Sequence, residues 1–240
     1  MKKLVWLLLL VSTMVFAEVD IIPPQAFTYR DTIKTELDNN FSDLYNYNYV
    51  PSLVEHESCI TLKHKKCWNS LSRLKTAREE GAGLGQVTRA FNPDGSVRFD
   101  TLGEMAKRYK VELREAKWET IYQRPDIQLR IMILMLRDDY KKLFTIENKE
   151  NRMQMVDAAY NGGLGGVLKE RRACGLSSNC NPNIWFNNVE KYCLKSKKVL
   201  YGTRSACDIN RHHVEDVFHN NIPKYNKSYF IVKEQQSETR

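Results

Sequence analysis

The sequence predicts a mostly helical fold, and three observations carry that expectation. Apolar residues recur at intervals of three and four through the stretches 51–59, 101–116, 127–144 and 151–174, the spacing of one helix face. Prolines and glycines stand where helices start and stop, at Pro51 and Pro125 and at Gly162 and Gly163. Strand-like alternation is scarce, and no period in the range of about 20 to 50 residues repeats. A chain of 240 residues, 42% hydrophobic and 28% charged, is too apolar for a disordered protein and long enough for one sizeable core.

At the start, Lys2 and Lys3 precede the run Leu4 to Leu10, and Val15-Phe16-Ala17 makes a small-residue ending. That layout predicts a secretory signal peptide over residues 1–17. An uncleaved anchor is the rival, but the run is shorter than the roughly 20 residues that span a bilayer, and Glu18 and Asp20 follow at once. Loss of Lys2 and Lys3 turns a formal charge of +8 into +6. The exported chain stays basic, which suits an anionic surface or polymer, while export argues against a nucleic-acid role.

Residues 18–50 read as a polar, aromatic surface lead-in, with a short helix from about Thr32 to Tyr45. Pro51 then sits at a first helical position, and Leu53, Val54 and Glu57 follow at helical intervals up to Cys59. From Ile60 to Asp100 the chain reads as irregular, with Gly81, Gly83 and Gly85 marking a tight turn or a close approach. Thr101 and Glu104 form a capping-box pair ahead of an amphipathic helix through Ala116. The run Ile131 to Leu136 has no polar face, so the helix over 127–144 belongs in the middle of the domain. A further helix covers 151–160 and continues from Leu164 to Cys174; another is expected from Ile184 to Lys195. The residues from Lys233 are polar and expected to fray.

Cys59, Cys67, Cys174, Cys180, Cys193 and Cys207 all follow the signal, and an even count in an exported chain reads as disulfides. Six cysteines allow several connectivities; we favour near neighbours, Cys59 with Cys67, Cys174 with Cys180 and Cys193 with Cys207. Zinc would want short Cys and His pairs. His212 and His213 are adjacent, and they and His219 have no matching carboxylate pattern, so a solvated or structural role is expected for all three.

Three separated pieces offer chemistry: Glu55-His56-Glu57-Ser58 at a helix end, Gly83-Leu84-Gly85-Gln86-Val87 in the glycine turn, and Ala158-Ala159-Tyr160-Asn161-Gly162-Gly163 where a helix stops. Together they supply a carboxyl, an amide, a phenol and glycine-exposed backbone, parts for binding and cleaving a polar polymer. A carboxyl on an apolar helix is driven to keep its proton, as a glycosidic general acid must.

In this order the pieces resemble the soluble lytic transglycosylase family of the lysozyme-like superfamily, whose pattern is a Glu-Ser pair closing a helix, then Gly-Leu-Met-Gln, then Ala-Tyr-Asn. The likeness covers about half the chain, roughly residues 50 to 170, with Gly85 in place of Met. Thr76-Ala77-Arg78-Glu79-Glu80-Gly81 ahead of the glycine turn, and the cysteine-rich tail, resemble a phage or prophage subgroup of endolysin type. The resemblance implies a lysozyme-like helical catalytic domain over 51–173, with a cysteine-bearing C-terminal part, 174–240, packed on the same domain and ending in a flexible tail.

By the same resemblance Glu57 is acid and then base. It protonates the oxygen joining N-acetylmuramic acid to N-acetylglucosamine, then takes the proton of the muramic 6-hydroxyl as an anhydro sugar closes. Ser58, Gln86, Tyr160 and Asn161 are the expected substrate-binding residues, Ser58 by orienting Glu57. Glu80 is the candidate second carboxylate, able to stabilise the transition state or to hold water for a hydrolysing muramidase; Glu79 and Glu55 are read as surface. Each residue has a plainer rival: Glu57 paired with Lys63 or Lys65, Gln86 bonded to turn backbone, Tyr160 in the core, Asn161 capping a helix, Glu80 on a charged surface. The expected partner is the glycan strand of peptidoglycan, taken by a monomer with no cofactor, no metal, no nucleic acid and no stable membrane insertion after the signal is removed. A wall-binding protein without activity is the alternative of another class.

Overall fold

The run expected to be buried on all sides is the spine of the molecule. In a computed structural model that describes residues 21–230, it forms helix α5 (Pro125–Lys142), with Pro125 at the first helical position, where a missing N–H leaves no bond unmade. Leu129, Met132, Ile133 and Leu136 enter one apolar core, while Ile127, Ile131 and Leu134 enter a second. Side chains about 100° apart around one helix therefore bind two lobes together.

The larger lobe is helical. It contains α1 (Pro24–Thr28), α2 (Arg30–Asn40), α3 (Tyr49–Ser58), α6 (Lys149–Gly162) and α7 (Leu164–Gly175). The C-terminal part adds a short hairpin of β5 (Val199–Tyr201) and β6 (Arg204–Ser205), then α8 (Ala206–Glu215), a π-helical stretch Asp216–Asn221 and α9 (Ile222–Asn226). Asn148 caps α6 by accepting the Asn151 N–H at 2.8 Å, and a capping box between Ser205 and Asp208 starts α8. Trp185, Val189, Val214, Val217, Tyr225 and Tyr229 share the core with Ile33, Leu53 and Val156.

The smaller lobe corrects the expectation of an irregular stretch between Ile60 and Asp100. There β1 (Arg73–Lys75), β2 (Glu79–Ala82), β3 (Val87–Phe91) and β4 (Val97–Asp100) form an antiparallel sheet in the order β1-β2-β3-β4. The strands are three to five residues long, and β1 and β4 are exposed along almost their whole length. Too short and too little buried, they show no alternation. Helix α4 (Thr101–Arg108) packs beside them, capped by Asp100, which accepts the Gly103 N–H at 3.0 Å, rather than by Thr101.

Other boundaries also move. The lead-in is not a surface segment: Ile33 and Leu37 of α2 are fully buried, and Arg130 of α5 grips the Glu36 carboxylate through two nitrogens at 2.8 and 2.7 Å. The helix expected over 101–116 stops at Arg108, and the one expected over 184–195 is a single 3-10 turn, Val189–Lys191. The disulfides join Cys59 to Cys67, Cys174 to Cys180 and Cys193 to Cys207. Among the described residues no helix is long and apolar enough to cross a membrane. The signal-peptide reading of residues 1–17 and the fraying expected from Lys233 fall outside the described residues.

Candidate active site

An open cleft of about 880 Å³ is lined by residues of both lobes and by α5. Glu57 reaches it from the end of α3, with its side chain 17% exposed. Gln86 comes from the turn between β2 and β3, and Tyr160 and Asn161 come from the end of α6. The fold thus gathers these four expected residues on one surface although up to 104 positions separate them.

The glycine turn is built for close approach. Gly83 and Gln86 both have left-handed backbone, with φ of 66° and 44°, a conformation that only glycine adopts freely. Gln128 of α5 staples the turn from behind: its side-chain oxygen accepts the Leu84 N–H at 2.9 Å, and its nitrogen donates to the Ser70 and Ile121 carbonyls at 3.0 and 2.7 Å. The Gln86 amide donates to the Gly83 carbonyl at 2.8 Å, as its plainer reading has it, while the residue also faces the cleft. Gly81 leaves the space for this fold-back, since a Cβ there would lie 2.7 Å from the Gln86 side-chain oxygen.

Tyr160 donates to the Gly85 carbonyl at 2.6 Å. Burial, with the nearby charges of Glu57 and Asp157, holds its phenol well above the ordinary value, so it remains a protonated donor. Asn161 accepts from the Asn210 amide at 3.0 Å, and Asn210 also donates to the Ala158 carbonyl at 2.9 Å, which ties α8 to the end of α6.

The partner of Glu57 is His213, one of the three histidines expected to be solvated or structural. His213 Nε2 lies 2.9 Å from Glu57 Oε1, and His213 Nδ1 lies 2.7 Å from Asp157 Oδ2. Asp157 in turn accepts from the Tyr49 hydroxyl at 2.7 Å. The His213 side chain is 1% exposed and that of Asp157 0%. Burial alone would push the imidazole down, but the Asp157 charge and the hydrogen bonds to Asp157 and Glu57 outweigh it and raise His213 to about 10. That direction favours the form in which both ring nitrogens carry a proton, each facing a carboxylate oxygen. One signal in the sequence points inward: Asn210, His213, Val214 and Val217 fall at intervals of three and four, and all are buried. His212 and His219 sit elsewhere; burial lowers His212, and His219 stacks on Phe186 at 4.3 Å.

Three expectations need correction. Glu80 does not line the cleft. Neighbouring residues of a strand face opposite ways, so β2 presents Glu79 to the cleft and turns Glu80 inward. There Glu80 meets Arg73, Arg89 at 2.9 Å and the Tyr122 hydroxyl at 2.8 Å. Ser58 is buried, and its Oγ accepts the Trp68 backbone N–H at 3.1 Å; it supports the loop after α3 and does not line the cleft. Glu55 is not on the surface but buried, paired with Lys224 and with the Tyr225 hydroxyl at 2.8 Å.

The cleft wall also carries Glu104, Arg108, Asp138, Asp139 and Lys142, so a polar ligand meets both signs of charge along it. Among the described residues no group of three or more His, Cys, Asp or Glu is placed to hold a metal ion. No family model matches the sequence, and no curated protein matches it.

Proposed function

We propose that the protein is an exported peptidoglycan-cleaving lytic transglycosylase with a lysozyme-like catalytic domain and Glu57 as its single acid and base. The observation that carries this reading is the meeting of Glu57, Gln86, Tyr160 and Asn161, from three separated pieces of chain, in one open cleft. Those residues belong to the motifs in which the sequence resembles the family, and the cleft is open to solvent and lined by polar and charged groups, as a glycan ligand requires. Glu57 hands a proton to the oxygen linking muramic acid to glucosamine as that bond breaks. It then takes the proton of the muramic 6-hydroxyl as the oxygen closes on the anomeric carbon. No water is consumed, and no second carboxylate is required. Tyr160 and Gln86 hold the turn that faces the sugar, and Asn161 offers a polar contact at the rim.

A second reading, a hydrolysing muramidase, is favoured by one observation: Glu79 shares the cleft with Glu57 and supplies the carboxylate that hydrolysis needs to position water. Digestion of purified cell walls followed by mass analysis of the fragments separates the two. Anhydro ends support the transglycosylase and reducing ends the muramidase; intact walls would leave a binding protein. Full lytic activity in Glu57→Gln would remove the central claim.

A further inference from the structure

The cleft chemistry leaves a buried chain unused. Behind Glu57, four groups from three helices are joined in series: the Glu57 carboxyl, the His213 imidazole, the Asp157 carboxylate and the Tyr49 hydroxyl, with contacts of 2.9, 2.7 and 2.7 Å. Buried ionic groups of this kind are costly unless every one is partnered, and here each is. A core that needed only packing would be served by apolar side chains at positions 213 and 157. The chain ends on the one carboxyl of the group that opens to the cleft.

We propose that His213, held by Asp157 and Tyr49, is the positioning residue of Glu57: its imidazolium fixes the orientation of the carboxyl and stabilises the carboxylate left when the proton has gone. This rests on the reading of Glu57 as the acid. The proton passes from Glu57 to the bridging oxygen, which keeps the electron pair of the broken bond. The 6-hydroxyl oxygen then bonds the anomeric carbon and returns its proton to Glu57. His213 gains and loses nothing; its charge makes the donor state easier to leave. Asp157 keeps that charge in place, and Tyr49 fixes Asp157.

Other titratable groups surround the pair. From α3, His56 meets the His213 ring edge-on at 4.3 Å and binds Asp216 at 2.6 Å. From α6, the Tyr160 phenol feels both Glu57 and Asp157. Tyr45, ahead of α3, feels Asp157, and its phenol is pushed above its ordinary range. His212 precedes His213 on α8 and lies near His56, the rings 6.1 Å apart. The two tyrosines stay neutral donors near pH 7, so the charge beside Glu57 is that of His213, backed by Asp157.

Two experiments test this. In the full-length mature protein, His213→Gln should lower kcat about a hundredfold with KM little changed. The limbs of its pH–rate profile should move as well, because the charged group in contact with Glu57 is gone. A profile scaled down with its limbs unmoved would make His213 merely structural and overturn the proposal. The second readout needs no turnover and covers a variant that fails to fold. Nitrogen NMR of labelled histidine in the wild type should show His213 carrying both ring protons at pH 7, and Glu57→Gln should lower the pH at which it loses one by about one unit. A neutral His213 at pH 7, or no shift in Glu57→Gln, would overturn the pairing. Intact walls with these NMR results would reject the transglycosylase reading and leave the pairing standing.

Discussion

Tyr160 and Gly85 are joined by a hydrogen bond of 2.6 Å in which the phenol donates to the backbone carbonyl, so the end of α6 holds the glycine turn against α5. The same place explains why a glycine stands where the resembled family has methionine. A Cβ on Gly85 would lie 2.7 Å from Met132 Cε and 3.0 Å from the Tyr160 hydroxyl. Met132 of α5, fully buried, already fills that space. Gly85→Met should therefore lower stability by about 1 to 3 kcal/mol through overpacking and lower activity by displacing Tyr160. Pairing it with Met132→Ala should recover part of both losses. Thermal melts and wall-lysis rates of the two variants check this, and a single variant as stable as the wild type would show the space to be open.

Glu80 is a stabilising group, and acid should reveal it. Burial alone would raise its carboxyl, but hydrogen bonds from Arg89, Tyr122 and Arg73 overcome that and hold it at about 2, against an ordinary 4.5. A carboxyl depressed in the folded state contributes stability above its unfolded value and loses it as the pH falls through the folded one. The contribution, about 3 kcal/mol at most for such a shift, is complete above roughly pH 5 and fades toward pH 2. Glu80→Gln should melt lower than the wild type at pH 7 and show a shallower fall of melting temperature between pH 5 and 2. Because the Glu80 carboxylate is itself buried and holds two arginines, the loss should be larger than a surface change would give. Lost turnover with unchanged melting would instead return Glu80 to the chemistry.

What was legible in the sequence follows from where the information lay. Helices α3, α5, α6 and α7 announced themselves because each carries its own pattern: an apolar face, a proline at the start of α5, glycines where α6 ends. Glu57, Gln86, Tyr160 and Asn161 were legible as local motifs, and the cleft that gathers them was not. The sheet was missed because strands as brief as Arg73–Lys75 and Val97–Asp100 bury almost nothing that could alternate. With the strand missed, the facing of Glu79 and Glu80 was lost too, since adjacent residues part ways only once the backbone is extended. Partners remote along the chain were beyond local reading altogether. His213 meets Glu57 across 156 positions and Asp157 across 56, and Glu55 meets Tyr225 across 170. No spacing rule joins such residues; only the packing of α8 and α9 on α3 and α6 does.

Glu79 distinguishes the two reactions. As the residue of β2 that shares the cleft with Glu57, it is the candidate to hold a water. If the product is the anhydro sugar, Glu79→Gln should cut walls within about tenfold of the wild-type rate and yield the same ends, because no water is used. A fall of several orders of magnitude, with reducing ends released by the wild type, would establish hydrolysis. Fragment masses from both proteins, taken at equal extents of digestion, decide it.

The Cys193–Cys207 disulfide should matter to activity as well as to stability. Cys207 lies in the first turn of α8, the helix that carries His213 and Asn210 to the end of α6 and the back of Glu57. The bridge closes a loop of sequence separation 14, for which chain-entropy arguments give about 3 kcal/mol. Cys193→Ser with Cys207→Ser should lower the melting temperature by about 5 °C or more. At temperatures where the variant is still folded, it should also lose activity through a less firmly seated α8. Cys174→Ser with Cys180→Ser is the control: it opens a loop of separation 6 between α7 and the segment after it, so it should cost stability with less effect on turnover. Equal losses of activity at matched stability would show that α8 is held by its buried contacts alone.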